Sequence, residues 1–278
     1  MSEIPVIKKS KKKKQLMLLY ILLGVCVAAF VGFAGWLGYE LFRDWQSQSY
    51  YTSLSAGVET RPRGPGYSRP QPNPSWPGDW YVDEPDFIED EWMPYVDFEA
   101  LNETFPGIIG WIKLEGTAID YPIMQTTNNN YFLGHLPDGT RHRSGSIFLD
   151  YRNSAEFTDK NILIYGHDSR TQDMFGALKN YRRQDFYDAH PVMHIYTPEG
   201  DFEMVLIAGY LVDSAREQPT MNFRDDDEFR DYINDIRRRS FFRSEVEVSL
   251  DDRIVSLCTC STDYTNARLI IVGKLVEF

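Results

Sequence analysis

The hydrophobic and polar positions divide the chain into three stretches with different patterns. Residues 16–37 read LMLLYILLGVCVAAFVGFAGWL, 22 positions without a charge. As a helix, that run is long enough to cross about 30 Å of hydrocarbon. Residues around PRGPGYSRPQPNPSWPGD show no period and are rich in Pro, Gly, Ser and Arg; such composition favours extended, solvated chain. From about Glu91 the pattern changes to short runs separated by turn residues. Residues 96–105 predict a short helix ended by Pro106-Gly107. Strand-like runs follow at 108–112, 118–123, 145–149 and 161–165. Residues 175–181 predict a helix, and 192–197 with 202–212 predict a hairpin turning at Pro198, Glu199 and Gly200. Residues 225–239 predict a longer helix, with acids at its start and Arg237, Arg238 and Arg239 at its end, as the helix dipole favours. Residues 254–260 and 267–278 predict the last two strands. Many short strands and few helices imply a mostly-β barrel or sandwich.

These boundaries predict four parts: a basic N-terminus at 1–15, a membrane-spanning anchor at 16–37, a stalk at 38–90 and a catalytic domain at 91–278. Charge supports the order. The formal net charge is -12, yet Lys8, Lys9 and Lys11 to Lys14 cluster immediately before the apolar run. By the positive-inside rule the N-terminus stays in the cytoplasm and the rest lies outside. No small-residue cleavage site follows the run, which favours an uncleaved anchor over a removed signal peptide. The acidic remainder argues against a nucleic-acid partner, which would call for a basic face.

The chain has three cysteines, Cys26, Cys258 and Cys260, too few for a disulfide scaffold. Cys258 and Cys260 are two apart on one strand, hence on one face. A bridge between them would be strained. An unpaired thiol in an exported domain calls for a reason, and a reactive nucleophile is one. Cys260 ends its strand, a polar turn follows, and Arg268 opens the next strand. A hairpin makes the two neighbours. A guanidinium there would favour thiolate over thiol and could stabilise an oxyanion. Spacing alone leaves open a surface arginine beside a buried cysteine. Of five histidines, His167 is the favourite: a buried strand ends at Tyr165, Gly166 permits a turn, and an imidazole there could exchange protons with a leaving or entering amine. Zinc sites show paired ligands, and the two cysteines have no matching pair, so neither metal nor other cofactor is expected.

These residues carry a family resemblance. Ser256-Leu-Cys-Thr-Cys260 resembles the sortase signature Thr-Leu-x-Thr-Cys, with Ser256 in place of the first Thr. Arg268 stands eight residues after the cysteine, where the family's essential arginine lies. Asn161-Ile-Leu-Ile-Tyr-Gly-His167 resembles the sortase histidine motif. Gly110-Trp-Ile-Lys-Leu-Glu-Gly-Thr, Ile119-Asp-Tyr-Pro-Ile-Met-Gln, Gly145-Ser-Ile-Phe-Leu-Asp-Tyr-Arg-Asn, Met174-Phe-Gly-Ala-Leu and the helix before the cysteine strand are similar to class B blocks. The resemblance covers residues 96–278. It implies an eight-stranded β-barrel with an N-terminal helical piece. It also implies a membrane-anchored cysteine transpeptidase that cleaves a C-terminal sorting motif of surface proteins. In that reaction Cys260 forms a thioester, His167 acts as general acid and Arg268 steadies the oxyanion or the peptide. The acceptor would be an amine on a peptidoglycan precursor or a pilin. Ser256, Cys258 and Thr259 beside the nucleophile are candidates for substrate contact; Cys258 stands where class B members often carry Ser. Two other readings compete. A papain-type hydrolase would place its Cys before its His, the reverse of this order. A non-catalytic anchored adhesin or scaffold would not need Cys, His and Arg to converge.

Overall fold

The computed structural model describes residues 7–56, 58–62, 92–169, 171–260, 263 and 265–277. Most of the expected stalk, residues 63–91, lies outside the described residues. The chain forms two units, Met1–Tyr50 and Tyr51–Phe278.

The first unit is most of a 49-residue helix, α1 (Ile7–Ser55). Its most apolar window has mean hydropathy 2.6, and it is long and apolar enough to cross a membrane. The side chains from Leu16 to Leu23 are all exposed, the arrangement of a helix whose apolar surface has no protein partner. The helix does not end at Leu37. Residues 38–55, expected to begin the stalk, continue it; no Pro interrupts the segment.

The last turn of α1 belongs to the second unit, which starts at Tyr51. Tyr51 is buried, packs edge-on against Tyr121 with ring centroids 4.9 Å apart, and donates its hydroxyl to the Gly145 carbonyl at 2.7 Å. Two short strands that the sequence pattern did not predict, β1 (Glu59–Pro62) and β2 (Trp92–Tyr95), pair antiparallel. Helix α2 (Phe98–Thr104) follows; the Asp97 carboxylate accepts from the Ala100 amide and caps it.

Eight further strands close into a barrel. They are β3 (Ile108–Lys113), β4 (Asp120–Met124), β5 (Ile147–Leu149), β6 (Asn161–Tyr165), β7 (Val192–Thr197), β8 (Gly200–Asp213), β9 (Arg253–Cys260) and β10 (Ala267–Glu277). Their order around the barrel is β10-β8-β7-β3-β4-β5-β6-β9. Pairs β4/β5 and β6/β9 are parallel and the rest antiparallel. The segment expected to be helical at 175–181 is a 3-10 helix, Gly176–Arg182, and an unforeseen short helix α3 (Gln184–Ala189) follows it.

Strand β8 is apolar on both faces because both are covered. One face points into the barrel. The other packs under α4 (Asp226–Arg239), whose Phe229, Ile233 and Ile236 cluster with Tyr210, Val212, Cys258 and Ile270. Burying three such side chains stabilises the fold by about 1.5–3 kcal/mol each. The Asp225 side chain caps α4 through the Glu228 amide at 2.9 Å. Ile254 and Cys258 of β9 and Ile270 and Val272 of β10 are buried in the same cluster, whereas Cys260 at the end of β9 is exposed.

Candidate active site

Register brings the three sequence candidates together. In the parallel pair β6/β9, Tyr165 lies opposite Cys258. His167 and Cys260 are each two residues further along, so both leave the sheet at the same edge. In the antiparallel pair β9/β10, Cys260 lies opposite Arg268, and directly opposed residues project to one face. His167, Cys260 and Arg268 accordingly line one cleft of about 410 Å³. The other four histidines do not line it. A larger hollow, about 1200 Å³, lies between Leu114, α3 and Ser240–Glu245, but neither Cys260 nor Arg268 borders it.

The turn after β6 is fixed by packing. A side chain at Gly166 would run into Ile147 and approach Phe175 at 2.7 Å, both of them fully buried. Its amide donates to the Cys258 carbonyl at 3.1 Å, extending the β6/β9 ladder by one step. Gly166→Ala is expected to cost about 1–3 kcal/mol by overpacking; thermal unfolding measures it, and an unchanged Tm would refute it. His167 is half-buried, and its Nε2 lies 2.7 Å from the Leu133 carbonyl. A carbonyl only accepts, so Nε2 carries a proton and Nδ1 is the nitrogen whose protonation can change.

Cys260 is exposed and Cys258 buried. Both line the cleft. Burial pushes the Cys258 thiol up to about 12; Arg268 opposes that rise and Cys260 adds to it. Cys258 therefore stays a thiol at neutral pH. In the full chain at pH 8, a soluble iodoacetamide reagent is expected to label Cys260 and leave Cys258 unlabelled, as read by peptide mass mapping. Labelling of Cys258 at a matching rate would contradict this.

The other two sequence candidates sit differently. Thr259 borders the cleft, but its side chain alternates to the opposite face of β9 and is buried there. Ser256 is fully buried and does not line the cleft. Its hydroxyl donates to Asn161 Oδ1 at 2.9 Å, and Asn161 Nδ2 donates to the Thr220 carbonyl at 2.7 Å. Ser256 thus belongs to a core network that ties the β8–α4 connection to the sheet. Its position near Cys260 suggested substrate contact; Ser256 does share the face of Cys258 and Cys260, but the cover of α4 buries it there.

Other cleft residues stand in loops: the family resemblance implies that residues 217–224 form part of the loop over the substrate groove, whereas Asn129 carried no signal in the sequence pattern. Glu217 and Gln218 stand on the β8–α4 connection. Arg239 holds Glu217 by two bonds at 2.7 and 3.1 Å, donates to the Leu211 carbonyl and stacks on Tyr210. Glu217 is the first cause of the rise in the Arg239 pKa. Asn129 lies on the opposite wall, with Oδ1 accepting from the Tyr151 amide and Nδ2 donating to Asp150. Asp150 is fully buried and also accepts from Arg152 and the Tyr165 hydroxyl. Burial raises the Asp150 pKa, but these donors outweigh it and hold the carboxyl below its usual range. Burial, then Asp150, raise the Tyr165 phenol. The 145–153 block is therefore a structural hub that braces the cleft wall. Among the described residues, no group of three or more His, Cys, Asp or Glu side chains is placed to hold a metal ion.

Comparison with known proteins agrees with this geometry. Residues 112–276 match the Sortase domain family. Over 182 residues the chain is 38% identical to Sortase B of Listeria monocytogenes, covering 65% of this chain and 73% of that protein. It is 31% identical to Sortase B of Staphylococcus aureus, covering 65% and 75% respectively. The solved Staphylococcus aureus sortase B-substrate complex superposes with a TM-score of 0.62 at 31% identity, covering 65% of this chain and 84% of that one.

Proposed function

Because this chain belongs to the sortase family of cysteine transpeptidases, we propose that Cys260, His167 and Arg268 carry out its transpeptidation. Sortases act on sorting-motif substrates and amine acceptors. The Cys260 thiolate attacks the threonyl carbonyl of the motif, forming a C–S bond and an oxyanion beside the Arg268 guanidinium. The oxyanion collapses, the C–N bond breaks, and the leaving amine takes a proton from His167 Nδ1. The product is a thioester. An incoming amine attacks it and returns a proton to Nδ1, and the thiolate leaves. The observation that carries this reading is the register of β6, β9 and β10, which lines one cleft with all three side chains.

The finer partners are part of the proposal. The class B resemblance supports an Asn-Pro-x-Thr or related motif, and a peptidoglycan-precursor or pilin amine as acceptor. The lysine cluster before α1 supports an anchored protein with its catalytic domain outside the membrane. The test uses the full chain in detergent with a motif peptide, with and without a short amine-bearing peptide. The expected result is cleavage after Thr, with an amine-ligated product that displaces hydrolysis. Hydrolysis alone at every amine concentration would overturn transfer as the main reaction.

A further inference from the structure

The turn between β9 and β10 connects Cys260 to Arg268, so its position sets their spacing to any substrate. At one end, Ser214 donates its amide and hydroxyl to the Asn266 carbonyl, each at 3.0 Å. At the other, Asp263 is clasped by Arg182: Nη1 donates to Oδ1 at 2.9 Å and Nη2 to Oδ2. This is the bidentate fork that fixes orientation as well as distance.

Arg182 itself is held in place. It ends the 3-10 helix Gly176–Arg182 and lies over the Phe241 ring at 5.4 Å. The buried Tyr181 beside it donates to the His190 carbonyl at 2.7 Å. The near end of the same helix is tied to the histidine. The Phe175 amide donates to the His167 carbonyl at 3.0 Å, and Lys179 pairs with Asp168 at 2.7 Å. One short rigid segment therefore touches the backbone of His167 at its start and the Cys260–Arg268 turn at its end. Asp263 and then Asp168 are the charges that raise the Arg182 pKa.

Resting on the catalytic roles assigned above, we propose that Arg182 is a positioning residue for the transpeptidation, acting through Asp263 to hold the nucleophile's turn in register with His167. Both side chains of the pair are a third exposed. Pairs that exposed contribute little to global stability, which leaves geometry as the role of this one. Small misplacements of reacting groups are costly, on the order of 10²-fold for 1 Å.

The test compares Arg182→Ala, Arg182→Lys, Asp263→Asn and the Arg182→Ala/Asp263→Asn double variant in the full chain, with Cys260→Ala alongside. Arg182→Ala and Asp263→Asn are expected to lower kcat about 10- to 100-fold. KM should stay within about twofold, and Tm within about 4 °C. Arg182→Lys keeps the charge without the fork and should fall between wild type and Arg182→Ala. The double variant should be no worse than the worse single, because both break one contact. An unchanged kcat in Arg182→Ala, or losses that multiply in the double variant, would overturn the inference. So would a loss of kcat matched by a large drop in Tm that Arg182→Lys fully restores, since that marks a structural role. A fully active Cys260→Ala would instead overturn the nucleophile assignment and this inference with it.

Discussion

Cys260→Ala is expected to bring cleavage of a motif peptide to background while leaving the fold intact. Cys260 is the exposed last residue of β9, so removing its sulfur opens no cavity, and Tm should not move. No nearby group can take over. Cys258 is the nearest other sulfur, but burial holds it as a thiol with a pKa of about 12, and the thiolate is the attacking form. Full activity in Cys260→Ala would exclude the covalent route. A loss accompanied by unfolding would show that the sulfur packs rather than reacts. Mass spectrometry of the wild-type protein mixed with peptide, in the absence of amine, should show the acyl adduct on Cys260.

The second large effect is on the proton. His167→Ala should lower kcat by about 10²- to 10⁴-fold, the range for loss of a general acid–base. The Leu133 carbonyl holds Nε2–H, so Nδ1 is the atom left to exchange a proton, and His167→Asn should not rescue: its amide can fill the space but cannot take up and release a proton. The sharper readout is the leaving group. Thioester formation from a substrate whose leaving group needs no protonation, such as an activated ester, should lose far less than formation from the amide. Equal losses on both would assign His167 a role in holding the thiol rather than in protonating the amine.

Much of this site can be read from the sequence because it rests on strand order. Residues 161–165 and 192–197 were bounded correctly by their apolar runs and turn residues, and 254–260 differs by one position at its start. The Cys260–Arg268 hairpin follows from spacing. Strand-end position makes His167 the favourite of five histidines, but setting it beside Cys260 required the family motif or the parallel β6/β9 register, which joins residues far apart in sequence. Local pattern has no access to such a pairing. The same limit hid Asn129, which stands in a loop without a period and is oriented by Asp150; Glu217 was placed over the groove only through the family resemblance, and Arg239 orients it. Ser256 was misplaced for the opposite reason. It shares a strand face with Cys260, but the cover of α4 puts its hydroxyl in the core. α1 runs on to Ser55, through the first part of the segment expected as stalk, and composition alone cannot show where a continuous helix stops.

The barrel closes on its last strand. β10 is eleven residues long, forms the seam between β8 and β9, and supplies Arg268. A chain made N-terminus first therefore has His167 long before Cys260, and Cys260 before its partner arginine. The seam is built from contacts between distant parts of the chain, the kind that form slowly. Until Ala267–Glu277 docks, the thiol sits on an unpaired edge without its guanidinium. Under the roles proposed above, a copy truncated before Ala267 is therefore expected to leave Cys260 without Arg268 and to show no cleavage of a motif peptide.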